Sequence, residues 1–294
     1  GHRNADWKLT PSIRRGAVVG EEGIYVDLVR EMRIQEFGRM LESTNRYRQW
    51  TSVHYDCPDK GVTWATGLYL DIRSLAQHFL IPTERLDFTN DVEVALFFAC
   101  TKHVGSGRYR PLNEDDIRET PYGAIFQSLL FNCSHSEDFK GLSMIPVQPY
   151  VRPAMQSGFA YIGGEYDTDL GIVRHVFKHD VVFSRYICEK FGNGDALFKE
   201  EGAEWIEKQV DRILESRTFS KTAFVRACGH LGISRKESKR IQKELESHGN
   251  YRIGRNAYAL SDSYISGLEP GWRLEDYMDE VGIGRHPNIL RTAY

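Results

Sequence analysis

Two apolar helical runs with a dense polar turn between them constrain this chain more than any other feature in it. Leu68, Ile72, Leu75 and Phe79 recur every three to four residues and predict a helix over 68–79. A second helix is predicted over 92–101, with Asn90 or Asp91 as its cap. From the end of the first to the start of the second run Gln77, His78, Pro82, Thr83, Arg85, Asp87, Thr89, Asn90 and Asp91. A loop that merely joins helices rarely needs a neutral-pH titrator, a carboxylate and two hydroxyls so close together. That density marks a candidate site. Each residue also has an ordinary explanation: a hydrogen-bonded core histidine for His78, an ion pair with Arg85 that orders the turn for Asp87, a cap for Asn90.

With 294 residues, 41% of them apolar and 27% charged, the chain is long enough for a full core and for two domains. No window approaches 18 uninterrupted apolar residues and residues 1–15 carry no apolar signal region, so a soluble, cytoplasmic protein without a membrane partner is expected. Five widely spaced cysteines without a C-x-x-C pair argue against a disulfide framework and against a zinc cluster; reduced thiols are expected. His175 and His179, four apart, would be neighbours on one face of a helix, but they fall in a predicted strand, so no metal is assigned to them. The formal charge of −3 hides an asymmetry. From Arg217 to Tyr258 ten Lys and Arg face three acids, a stretch of +7 on a remainder of −10. Such a basic module fits an anionic partner, and Lys236, Lys239, Arg240 and Lys243, at helical spacing, are its candidate nucleic-acid contacts; a merely solvated charge run is the plain alternative.

Periodicity predicts further elements: an amphipathic helix over 21–40, a loop over 46–64, an exposed loop over 105–120, a central strand over 122–130 and strands over 147–151 and 173–182. A helix is predicted over 180–191. Beyond them, Ser220 and Ser234 read as caps of two helices, the second running to His248, and Tyr251–Leu260 as a hairpin. Helix, turn, basic helix, hairpin is the order of a winged helix-turn-helix. Domains are therefore expected over 1–214 and 215–294.

The run Ala76-Gln77-His78-Phe79-Leu80-Ile81-Pro82-Thr83-Glu84-Arg85-Leu86-Asp87-Phe88-Thr89-Asn90, continuing to Ala95-Leu96-Phe97-Phe98-Ala99, resembles the signature of the FRG domain, A-Q-H-x-G-x-P-T-R-L-L-D-W-T-x-N-x-x-x-A-L-x-F-A. Glu84 stands where the family has Arg, and Phe88 where it has Trp. Arg152-Pro153-Ala154-Met155-Gln156-Ser157-Gly158-Phe159 resembles a second family block, and weaker likeness continues to about 214. The start resembles the text after the family's aromatic-Arg pair, so Gly1 is either the glycine of that tripeptide or part of a tag scar.

The family's motif order is similar to that of ADP-ribosyltransferases. The resemblance implies an α+β fold with a small split sheet and flanking helices, NAD as substrate, and ADP-ribosyl transfer or NAD hydrolysis, as in a toxin or defence effector. It implies catalytic roles for His78, Thr89, Gln156 and Glu165, and cofactor contacts from Gln77, Arg85, Asp87, Asn90 and Arg152. The chemistry is apt: an Arg fork suits a pyrophosphate, hydroxyl and imidazole groups suit ribose hydroxyls, and a late carboxylate or amide suits the 2′-hydroxyl or the acceptor, a protein acceptor included. A non-catalytic nucleotide- or nucleic-acid-binding sensor is the alternative from another class. A nuclease holding a metal on Asp87 and Glu93 lacks a third carboxylate at suitable spacing. The absence of P-loop, G-x-G-x-x-G and G-x-S-x-G patterns disfavours kinase, Rossmann and hydrolase readings.

Overall fold

The computed structural model of the chain describes residues 1–7, 9, 21–57, 62–66, 70–105, 108–128, 141–144, 148–162, 172–198, 204–247, 251–254, 272–274 and 276–277. They are a mixture of helices and short strands in small sheets, an α+β arrangement. Two compact units emerge, neither continuous in sequence: residues 1–12 with 84–200, and residues 13–83 with 201–294. The expected boundary at 214/215 falls inside the second unit.

A shared core explains that grouping. In α1 (Glu21–Glu42), Leu28, Met32, Phe37 and Leu41 are fully buried, as their spacing predicts, while Ile24 is exposed. Leu28, Val29 and Met32 pack in one cluster with Phe219, Phe224, Ala227, Cys228, Ile233, Ile241 and Leu245, nearly two hundred residues away along the chain. Each large side chain so buried contributes about 1.5–3 kcal/mol. The carboxylate of Glu36, fully buried in α1, accepts from the backbone N–H of Ser220 at 2.5 Å and pairs with Arg39 at 3.3 Å. A charge is held inside because both a cation and an amide face it.

The second unit also holds α2 (Asn45–Thr51), the antiparallel pair β1 (Val53–Cys57) and β2 (Val62–Thr66), and α3 (Ile72–His78). The loop expected over 46–64 is thus mostly regular. Thr44 starts α2 by accepting from the N–H of Tyr47, and the two strands are rich in β-branched and aromatic residues, the composition that favours pairing. The expected helix over 68–79 begins at Ile72, because the Asp71 carboxylate takes the N–H of Ser74 at 3.1 Å.

The first unit begins with residues 1–7 laid along β6 (Tyr122–Ser128). His2 and Ala124 exchange two backbone hydrogen bonds of 2.8 and 2.9 Å, and β6 pairs antiparallel with β9 (Ile172–Lys178) on its other edge. The buried His179 fastens the segment, its Nε2 lying 2.7 Å from the carbonyl of Arg3. Gly123 makes room: a Cβ there would stand 2.7 Å from the His179 ring. Beside this ladder α4 (Val92–Cys100) packs on a helix, α7 (Val181–Lys190), through Val94, Phe97, Cys100, Ile187 and Cys188.

The region 105–120 is not an irregular loop. β4 (Thr101–Gly105) pairs antiparallel with β5 (Arg108–Pro111), and α5 (Glu114–Glu119) opens on a capping box of Asn113 and Asp116. The Asp116 carboxylate binds Arg110 at 2.6 Å and Lys102 at 2.6 Å, one charge from each strand. The strand expected over 147–151 is also corrected: Val151–Met155 is a helical turn, α6, preceded by bends at 148–150.

In the remaining second-unit segment, α8 (Glu204–Glu215) precedes β10 (Thr218–Ser220), α9 (Lys221–His230) and α10 (Arg235–Ser247). Ser220 and Ser234 cap α9 and α10 through the N–H groups of Ala223 and Glu237. β11 (Arg252–Gly254) pairs in parallel with β10, and the other arm of the expected hairpin, 255–260, lies outside the described residues. No helix among the described residues is long and apolar enough to cross a membrane.

Candidate functional site

The two polar blocks meet on one ladder. β3 (Leu86–Thr89) pairs antiparallel with β8 (Gly158–Ile162), whose other edge carries β7 (Gly141–Met144). The register sets Leu86 against Tyr161, Asp87 against Ala160, Phe88 against Phe159 and Thr89 against Gly158. Alternation along a strand then sorts the side chains. Leu86 and Phe88 join Phe159, Tyr161, Leu9 and Ile172 in an apolar cluster, leaving Asp87 and Thr89 together on the opposite face. Their cross-strand neighbours there are Ala160 and Gly158, both buried. Asp87 is exposed and Thr89 half-buried.

The hydroxyl is partly engaged: Thr89 Oγ1 accepts from the N–H of Asp91 at 3.0 Å. Asp91, not Asn90, caps α4, its carboxylate taking the N–H groups of Glu93 at 2.8 Å and Val94 at 3.3 Å. That leaves Asn90 exposed on the turn, its own N–H reaching the carbonyl of Ser157 at 3.4 Å. Ser157 joins α6 to β8 at φ 44°, a left-handed conformation that a non-glycine residue adopts at a cost of about 1–3 kcal/mol and that clusters at functional sites.

Arg152 and Gln156 lie on the turn leading into β8, both buried. The Arg152 guanidinium stands 5.4 Å over the ring of Phe198. Nearby Tyr109 stacks on Phe198, and burial pushes its hydroxyl up to about 12 against the opposing charge of Arg152. The amide of Gln156 donates to the carbonyl of Leu197 at 3.0 Å. Arg85 is buried, its Nε 3.6 Å from Glu84. Glu165 lies outside the described residues.

Gln77 and His78 belong to the other unit. Thr83, fully buried, donates its hydroxyl to the Gln77 side chain, so this amide ties the Pro82-Thr83 turn to α3. His78, the last residue of α3, is buried. Next comes a residue the signature pattern should have flagged. Where the pattern has glycine the chain has Leu80, at φ 66° and 61% exposed. The N–H of Ile81 bonds the carbonyl of Ala76 and that of Leu80 the carbonyl of Gln77, both at 2.9 Å, which is a Schellman end to the helix. His175 is exposed with Nε2 2.9 Å from Gln127, while the chemistry of His179 is spent on Arg3. Glu93 pairs with Lys190.

The family model of the FRG domain matches residues 1–106. The likeness drawn from the signature block holds over that span, which stops short of the second block at 152–159 and of the expected reach to 214. No curated protein and no solved structure matches the chain.

Proposed function

We propose that the chain consumes NAD, as an ADP-ribosyltransferase or an NAD glycohydrolase on an ADP-ribosyltransferase-like sheet, with its site on the β3–β8 ladder. The observation that carries the reading is the pairing itself. Two polar blocks almost seventy residues apart are hydrogen-bonded side by side, with Asp87 and Thr89 on one face and Arg152 and Gln156 on the turn that feeds it.

In this reading the β3 groups, the exposed Asp87 first, take ribose hydroxyls. The bond that breaks joins the nicotinamide nitrogen to the anomeric carbon; nicotinamide leaves, and water or an acceptor nucleophile closes the bond while giving up a proton. Asp87 is the exposed carboxylate on that face and fits a developing positive charge. Arg85 and Arg152 are the candidate pyrophosphate cations, and Asn90 and Glu165 remain part of the proposed set through the family motif order. Thr89 and Gln156 already hold structural hydrogen bonds, and that observation favours a second reading in which the same ladder binds a nucleotide without turning it over.

Nicotinamide release from NAD, followed by chromatography, separates the two. The chain is assayed as it stands and with an aromatic-Arg pair added before Gly1, together with Asp87→Asn and Thr89→Ala. Loss of a charge-assisted contact worth about 1.5–3 kcal/mol lowers turnover roughly ten- to hundredfold. No release from either form of the wild-type chain, with NAD binding retained in calorimetry, establishes the binding reading. Release that neither substitution changes moves the site off this ladder.

A further inference from the structure

The helix α10 bears its charge the wrong way round. Partial positive charge at a helix N-terminus favours acids in the first turn and cations in the last. Here Arg235, Lys236, Lys239 and Arg240 crowd the first six residues, against Glu237 alone, while Glu244 and Glu246 sit near the end. Such an order works against the helix's own stability and calls for another use of the cations.

The fold decides which of them are available. Ile241 and Leu245 are buried in the core cluster, so the apolar stripe of α10 is already covered and the helix cannot lie in a lipid surface by it. At about 100° per residue the centre of the opposite side falls among Lys236, Lys239 and Lys243, with Arg235 at its edge. All four are exposed, and among the described residues none of their side chains forms an ion pair. Arg240 is different. Its guanidinium is 3.0 Å from the carboxylate of Glu244, to which the Tyr25 hydroxyl of α1 also donates, so it belongs to a tie between two helices.

We infer that Arg235, Lys236, Lys239 and Lys243 form a face that binds the phosphate backbone of duplex nucleic acid, without Arg240. The chemistry favours a duplex over an acidic protein. The face has no aromatic or aliphatic anchor, whereas protein interfaces are depleted of Lys at their centres and depend on such anchors. A helix about 10–12 Å across also matches a major groove about 12 Å wide. This inference is independent of any reaction at the β3–β8 ladder.

Fluorescence anisotropy of a short mixed-sequence DNA duplex, titrated with the full chain across a salt series, tests it. Four neutralised phosphates give a slope of log affinity against log salt near −3.6, and about a hundredfold loss between roughly 50 and 200 mM. Lys236→Gln/Lys239→Gln should bring the slope to about −1.8 and that loss to about tenfold. Lys239→Gln/Lys243→Gln should do the same, and circular dichroism confirms that both pairs fold. Arg240→Gln should leave the slope alone and lower the thermal midpoint. The proposal is overturned by salt-insensitive binding of the wild-type chain, by an unchanged slope in both double variants, or by a polyglutamate peptide binding more tightly than the duplex.

Discussion

Leu80 offers a direct measurement of what the turn after α3 costs. A residue with a Cβ in the left-handed region is disfavoured by roughly 1–2 kcal/mol, and Leu80 sits there at φ 66°. Replacing it by glycine removes the strain but adds about 0.5–1 kcal/mol of chain entropy to be lost on folding. It also deletes a side chain that is 61% exposed, so the informative comparison is with Leu80→Ala, which deletes nearly the same atoms and keeps the strain. The Schellman hydrogen bonds from Leu80 and Ile81 use backbone atoms and survive in both variants. Subtraction leaves the glycine variant more stable than the alanine variant by roughly 0.5–1 kcal/mol. At about 2–4 °C per kcal/mol, it melts roughly 1–4 °C higher in calorimetry. Inside a helix the order is the reverse. Equal midpoints, or a more stable alanine variant, would refute the assignment of strain to this residue.

Two further perturbations test the first unit. Arg110, then Lys102 and the capping amide of Asn113, hold the Asp116 carboxyl well below the usual carboxylate range. A depressed folded value contributes stability above the unfolded value near 3.8, lost as pH falls through the folded one, so the wild type should weaken on acidification below about pH 4. Asp116→Asn should cost about 1–3 kcal/mol at neutral pH in urea unfolding and narrow its deficit at pH 3; a constant deficit would mean that the charge is not the cause. His179→Ala should free the segment it fastens, so that the Ala124 amide, bonded to His2, exchanges faster with deuterium while amides of α4 do not. Unchanged exchange at Ala124 would show that the β-bridge alone holds the segment.

The helices of this chain were legible because periodicity and caps are local. Leu28, Met32, Phe37 and Leu41 announce α1, and Asp180, Ser220 and Ser234 mark helix starts that the structure keeps. The described residues of the segments read as loops, 46–64 and 105–120, fall in short strands and in helices of seven and six residues, where a few alternating residues carry little periodic signal. Their stability comes from partners: β4 needs β5, and Asp116 needs cations from both. The signature turn was legible as polar and dense, and its pattern already held the glycine position that Leu80 fills.

By itself, then, the sequence determined the helices over 21–40 and 180–191 and the two that Ser220 and Ser234 cap, that residues 76–99 resemble an FRG signature, and that positive charge gathers near the carboxyl end. Only tertiary structure decided that Thr89 would face Gly158 and that the Tyr25 hydroxyl of α1 would meet Glu244 of α10. It also decided that α1 would share a core with Phe219 and Ile241. The physical reason is range. Caps and helical faces arise among residues within one or two turns of each other, whereas strand register, buried ion pairs and shared cores depend on which distant apolar surfaces leave water together, and no local pattern encodes that choice.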